Sequence, residues 1–137
     1  MKRIIPAIIA GVVAWILAVS LFNRGLRVGL SGYAAAEPNM TFTPPMMAAR
    51  LMIGALASLI AGAVAGWIDR RGGPGVWIVG VMLLAAFIPE HVAIWSTLPV
   101  WYHLTFLVTL APLVLLGSLF ARGRSPGRRA GGSAQQA

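Results

Sequence analysis

Cysteine is absent from this chain and charge is scarce: eleven basic and three acidic side chains in 137 residues, 10% in all. The missing cysteine excludes disulfide staples, thiolate metal sites, thioester chemistry and dithiol exchange with quinones. The scarcity of charge excludes more. Soluble domains carry about 25% charged residues, so this chain cannot cover an aqueous surface. With 58% hydrophobic residues and a mean hydropathy of +0.82, the solvent that fits is a bilayer. The length bounds the chain to one compact unit.

What charge there is carries one dominant sign, +8 overall. Nucleic acid is not the implied partner, because no basic groove with interleaved aromatics is present. The basic residues stand instead at the ends of apolar runs, where they address lipid headgroups and the insertion machinery.

A helix needs about 20 apolar residues to cross a hydrocarbon core roughly 30 Å thick. Four segments qualify, over residues 4–22, 44–68, 76–97 and 99–121. Thr43 is a plausible N-cap for the second, with Pro44 at the first helical position. Residues 23–43 form the one substantial loop, with room for a short interfacial helix or an irregular surface path. "DRRGGPG" (69–75) and "STLP" are tight turns. The N-terminus, the 69–75 turn and the tail from Arg122 carry two, two and four basic residues, against Arg24 and Arg27 on the opposite side. That asymmetry predicts both termini in the cytoplasm. Residues 1–121 then make one four-helix membrane domain. Residues 122–137 read as a disordered basic tail lying near anionic headgroups.

Gly54, Ser58, Gly62 and Gly66 recur every four residues along the second span, a drifting stripe of small side chains that lets another backbone approach closely. The contact is with a helix of the same bundle, or with a second copy or a larger membrane protein. Ala7 and Gly11 on the first span offer one complementary surface.

Polar residues gather at the other ends of the spans. "FIPEHVAIWSTLPVWYHL" (87–104) holds a glutamate, two histidines, two tryptophans and a tyrosine between apolar runs. Arg50 and Glu90 are the two ionisable residues well inside a span, where a charge costs about 2.5–3.5 kcal/mol on insertion scales. Counting 1.5 Å per residue puts each roughly 9 Å below the same boundary, which predicts an Arg50–Glu90 ion pair. His103 lies at a similar depth and His91 adjoins Glu90, so Arg50, Glu90, His91, Tyr102 and His103 form a candidate ligand, proton or ion-pair site. Trp95, Trp101 and Tyr102 also suit the aromatic belt at the interface. Pro89 and Pro112 each free one helical carbonyl, those of Ala85 and Val108.

No catalytic constellation is present. The serines lack a convincing histidine and carboxylate, and the glycines at 72–75 have no phosphate-loop pattern. No metal site is indicated and no cofactor is implied, although His91 and His103 on adjacent antiparallel helices have the chemistry to ligate haem iron or a metal.

"GYAAAEP" in the loop, "MMAARLMIGALASLIAGAVAGWI" in the second span and "LPVWYHLTFLVTLAPLVLLG" in the fourth carry a resemblance. The chain resembles the small uncharacterised four-helix proteins of bacterial inner membranes. The resemblance covers most of residues 1–121 and implies topology and location without an activity. The first span has no acidic residue, unlike the small multidrug exporters, whose essential carboxylate lies there.

The reading is therefore an all-α, four-helix integral membrane bundle. Its expected function is non-enzymatic, as an accessory or self-associating subunit in contact with lipid and with a homo-oligomeric or larger partner. The alternatives are a small carrier in which Glu90 titrates, and a redox subunit using His91 and His103.

Overall fold

The computed structural model of the chain describes residues 3–69 and 73–122. The expected basic tail, apart from Arg122, and the middle of the 69–75 turn lie outside the described residues. Five helices run in order: α1 (Ile4–Gly29), α2 (Tyr33–Ala36), α3 (Pro44–Ile68), α4 (Pro74–Ala93) and α5 (Val100–Arg122). No strand occurs among the described residues. All but α2 are long and apolar enough to cross a membrane.

The bundle is built for lipid rather than water. Its interior is made of small residues: Ala7, Ala57, Ala61 and Ala65 are fully buried, while Ile5, Leu17, Leu21, Met52 and Val108 point outward. A soluble helix would do the reverse. Trp67 and Trp77 stand exposed at one end of the bundle, Trp95 and Trp101 at the other. Two exposed tryptophan pairs, one at each end of the spans, are the aromatic girdle of a membrane protein. The protein is a multi-pass integral membrane protein.

Helix α3 is the central element, packed most extensively on α5 and next on α1, with α4 closing against α5 and α1. The small-residue stripe explains why. A β-carbon on Gly62 would overlap the backbone carbonyl of Val114, and one on Gly117 would overlap that of Leu59. Glycines on both helices thus bring the two backbones into contact. Gly66 meets Ser118 and Gly54 meets the Phe106 ring, each at 2.9 Å from the added carbon. Ser58, also in the stripe, accepts from the Trp15 indole of α1 at 3.2 Å and donates to the Gly54 carbonyl at 2.7 Å. The stripe is consumed inside the chain and leaves no surface there for a second protein.

Two boundaries differ from the sequence expectation. Helix α1 does not stop at Phe22 but continues to Gly29, because Asn23, Arg24 and Arg27 end the apolar run without ending helical backbone. Its 26 residues span about 39 Å at 1.5 Å each, longer than the hydrocarbon core. Helix α4 ends at Ala93, and residues 94–99 form the turn into α5. Pro44 occupies the first turn of α3, as its fixed φ favours, while Thr43 sits at the cap position without a side-chain capping bond.

Candidate functional site

The 30–43 loop folds as a lid over one end of the bundle. Gly32 (φ +78°) turns the chain into α2. The Thr41 N–H then donates to Ala36 O and the Met40 N–H to Glu37 O, with Met40 at φ +53°. This is the Schellman closure, with methionine at the left-handed position that glycine usually fills. It turns Tyr33 inward, fully buried, against Ala36, Phe42, Met47, Leu98 and Tyr102.

Arg50, in the second turn of α3, points into this lid. Its Nη1 donates to the Tyr33 hydroxyl at 2.8 Å and its Nε to the Tyr102 hydroxyl at 3.3 Å. The guanidinium carbon lies 4.6 Å from the centroid of the Phe42 ring, a cation–π contact. The network continues outward. Tyr33 donates to Asn23 Oδ1 at 2.7 Å, Asn23 donates to Glu37 Oε1 at 2.9 Å, and Arg27 donates to Glu37 Oε2 at 2.6 Å. One chain of hydrogen bonds therefore ties α1, α2, α3 and α5 together at this end.

The expected Arg50–Glu90 ion pair does not form. The salt bridge among the described residues joins Arg27 to Glu37, and Glu90 is exposed on the outside of α4. The reason is rotational. Depth places both residues at one level, but consecutive helical residues differ by about 100°, and the neighbouring His91 is the one that faces inward. Tyr102 likewise turns inward, 4% exposed, while Trp101 takes the interfacial position.

His91 and His103 do meet. Their Nδ1 atoms stand 2.8 Å apart, and His103 Nε2 is 3.2 Å from the Leu98 carbonyl. A carbonyl only accepts, so His103 carries its proton on Nε2 and offers a lone pair at Nδ1. His91 must then donate from its own Nδ1. One proton lies between the rings, and a second at that contact would set two N–H groups head to head. Trp95 stacks on His103 at 4.8 Å and Phe106 on His91 at 4.7 Å. Axial nitrogens on opposite sides of a metal would be about 4 Å apart, given metal–nitrogen bonds near 2 Å. The rings are hydrogen-bonded to each other, with no slot for a porphyrin between them. No group of three or more histidine, aspartate or glutamate side chains is placed for metal binding among the described residues.

Sequence reasoning missed Asn23, Arg27, Tyr33, Glu37 and Phe42. The usable signal was a pair of four-residue spacings, Asn23–Arg27 and Tyr33–Glu37, each placing two polar groups on one helix face.

Burial pushes the Glu37 carboxyl up, but the Asn23 amide and the Arg27 guanidinium outweigh it and hold the group below the ordinary carboxylate value. Burial raises the Tyr33 phenol. For a depressed carboxyl the stability is present above the unfolded value and is lost as pH falls through the folded one. Arg27 is half exposed, which limits the Glu37 contribution to about 1 kcal/mol or less. The protection of amides in residues 30–43, measured against the intrinsic exchange rate at each pH, should therefore fall as the solution is acidified below the ordinary carboxylate range. Glu37→Gln should exchange faster at neutral pH and lose that dependence. A wild-type lid whose exchange protection is unchanged in acid would remove Glu37 from the network.

No family model, curated protein or solved structure matches the chain.

Proposed function

We propose that the chain is a non-enzymatic protein of a bacterial inner membrane that works as an accessory or self-associating subunit, docking through the outward side of α4. Glu90 carries this reading. It lies within one turn of the end of α4, exposed on the outside of the bundle, and none of the described basic side chains lies within ion-pair distance of it. A carboxylate directed at lipid is unfavourable, and such residues mark contacts or pathways. Ala86 and Met82, one and two turns before Glu90, are exposed towards its side of α4, while Val81, Ile88 and Val92 are exposed on the opposite side of the helix. A cation or hydrogen-bond donor on a neighbouring helix would satisfy Glu90, and small Ala86, one turn before it, permits close approach.

The absence of cysteine makes the test free of background. Single cysteines at Met82 and Ala86 in native membranes should give a cross-linked homodimer or a discrete adduct with another protein. Glu90→Leu should reduce its yield several-fold. Uniformly monomeric protein at both positions would overturn this reading.

A second reading, a proton-coupled carrier, draws support from the shared proton between His91 and His103 rather than from Glu90. Reconstituted vesicles that pass protons with the wild type, but not with a folded His103→Gln variant, would favour it over the first.

A further inference from the structure

The chain has three acidic residues, and the structure accounts for each. Glu37 gives one oxygen to Asn23 and the other to Arg27. Asp69 accepts the Gly75 N–H at 3.2 Å, at the opposite end of the bundle. Glu90 faces outward from α4 without an ion pair among the described residues. Arg50 is left as a half-buried cation whose protein partners are two neutral hydroxyls and an aromatic face. The hydrogen-bonded network at this end contains two guanidiniums and one carboxylate, so it carries one positive charge in excess.

The donors are also unequal to their acceptors. A guanidinium has five N–H groups. Tyr33 and Tyr102 take one each, from Nη1 and Nε, and three remain, one on Nη1 and two on Nη2. Phe42 covers one face of the plane, which leaves the edge as the direction of approach. The Tyr102 hydroxyl, in a side chain 4% exposed, accepts from Arg50, and its own proton has no acceptor among the described residues. These donors converge at the level where an arginine six residues into a span extends its head toward the interface.

We propose that Arg50 and Tyr102 form a binding site for a phosphate group, gripped by the two-pronged edge of the guanidinium with the phenol as an additional donor. A planar fork of N–H groups matches phosphate oxygens in a way that a lysine does not. The excess charge calls for an anion from outside the chain, and a long arginine side chain at this position can extend its head from the span toward the headgroups. A lipid headgroup and a free phosphate ion present the same chemistry to this edge.

Native mass spectrometry of the full-length protein would read the site, after exchange into micelles doped with phosphatidylglycerol or phosphatidylcholine. A parallel titration with inorganic phosphate would follow thermal stability. The wild type should retain phosphatidylglycerol, and phosphatidylcholine less well because its choline offsets the charge. Arg50→Gln should weaken retention about tenfold or more, as expected for loss of charge-assisted hydrogen bonds, and Tyr102→Phe by several-fold. Arg24→Gln, exposed at the same end and outside the network, should stay within about twofold, as a surface charge does. Stabilisation by inorganic phosphate, abolished with Arg50 and without lipid retention, would identify a free anion as the ligand. Binding of neither lipid nor phosphate by the wild type would overturn the proposal, as would equal retention by Arg50→Gln. If Arg50→Gln does not fold, Tyr102→Phe decides: unchanged affinity for whichever ligand the wild type holds overturns it.

Discussion

Gly62→Ala should cost about 3 kcal/mol or more, or leave no folded bundle to measure. The new β-carbon falls on the carbonyl of Val114. A flexible side chain could swing aside, but a backbone carbonyl in the middle of α5 cannot. Relief requires the two most extensively packed helices to separate, which opens the reciprocal contact of Gly117 with Leu59. Overpacking a dense site costs about 1–3 kcal/mol when side chains can adjust, and here they are not the obstacle. Unfolding in graded mixed micelles, followed by tryptophan fluorescence, would give the number. Gly25→Ala is the matched control. It lies in helix α1 with nothing within 4 Å of the added carbon, so alanine should be neutral or stabilising by up to about 1 kcal/mol. Equal behaviour of the two variants would mean that α3 and α5 are not in backbone contact.

The second large effect belongs to one oxygen atom. Tyr33→Phe keeps the ring, its packing and its contact with Phe42 at 5.4 Å, and removes the hydroxyl that accepts from Arg50 and donates to Asn23. Two half-buried polar groups then lose their partner, and one of them is charged. A hydrogen bond to a charged group contributes about 1.5–3 kcal/mol and an orphaned acceptor costs about 1–3 kcal/mol. The expected loss is about 2–3 kcal/mol, since the Asn23 carbonyl is partly reached by water. Amide exchange should rise across residues 30–43 and stay unchanged in the middle of α3 and α5. A double-mutant cycle with Arg50→Met should show strong coupling, because the second change removes a partner already lost. Additive losses would place Arg50 elsewhere.

The membrane spans were readable because the bilayer demands long apolar runs and nothing else in the chain imitates them. Pro44 opened α3 where a proline should, and the depth count brought Arg50 and His103 toward one end of the bundle. The same count erred at Glu90. Depth along a helix follows from residue number, whereas facing depends on how each helix is rotated by its packing, and one position separates the exposed Glu90 from the buried His91. Arg50 could not be assigned its true neighbours for another reason. Tyr33 and Phe42 come from residues 23–43, where no hydrophobic period constrains the path. The fold of that segment rests on a left-handed methionine at position 40 that sequence preference would not select.

The order of residues along the chain has a consequence for biogenesis. Tyr102 follows Arg50 by 52 positions, which at about 5–20 residues per second means roughly 3–10 s during which the nascent arginine has no contact with α5. Tyr33 and Phe42 have already left the ribosome by then. The lid is synthesised before the cation it covers, so Arg50 enters the membrane with an escort in hand. Its last hydrogen bond is made only when the final helix arrives to lock the assembly.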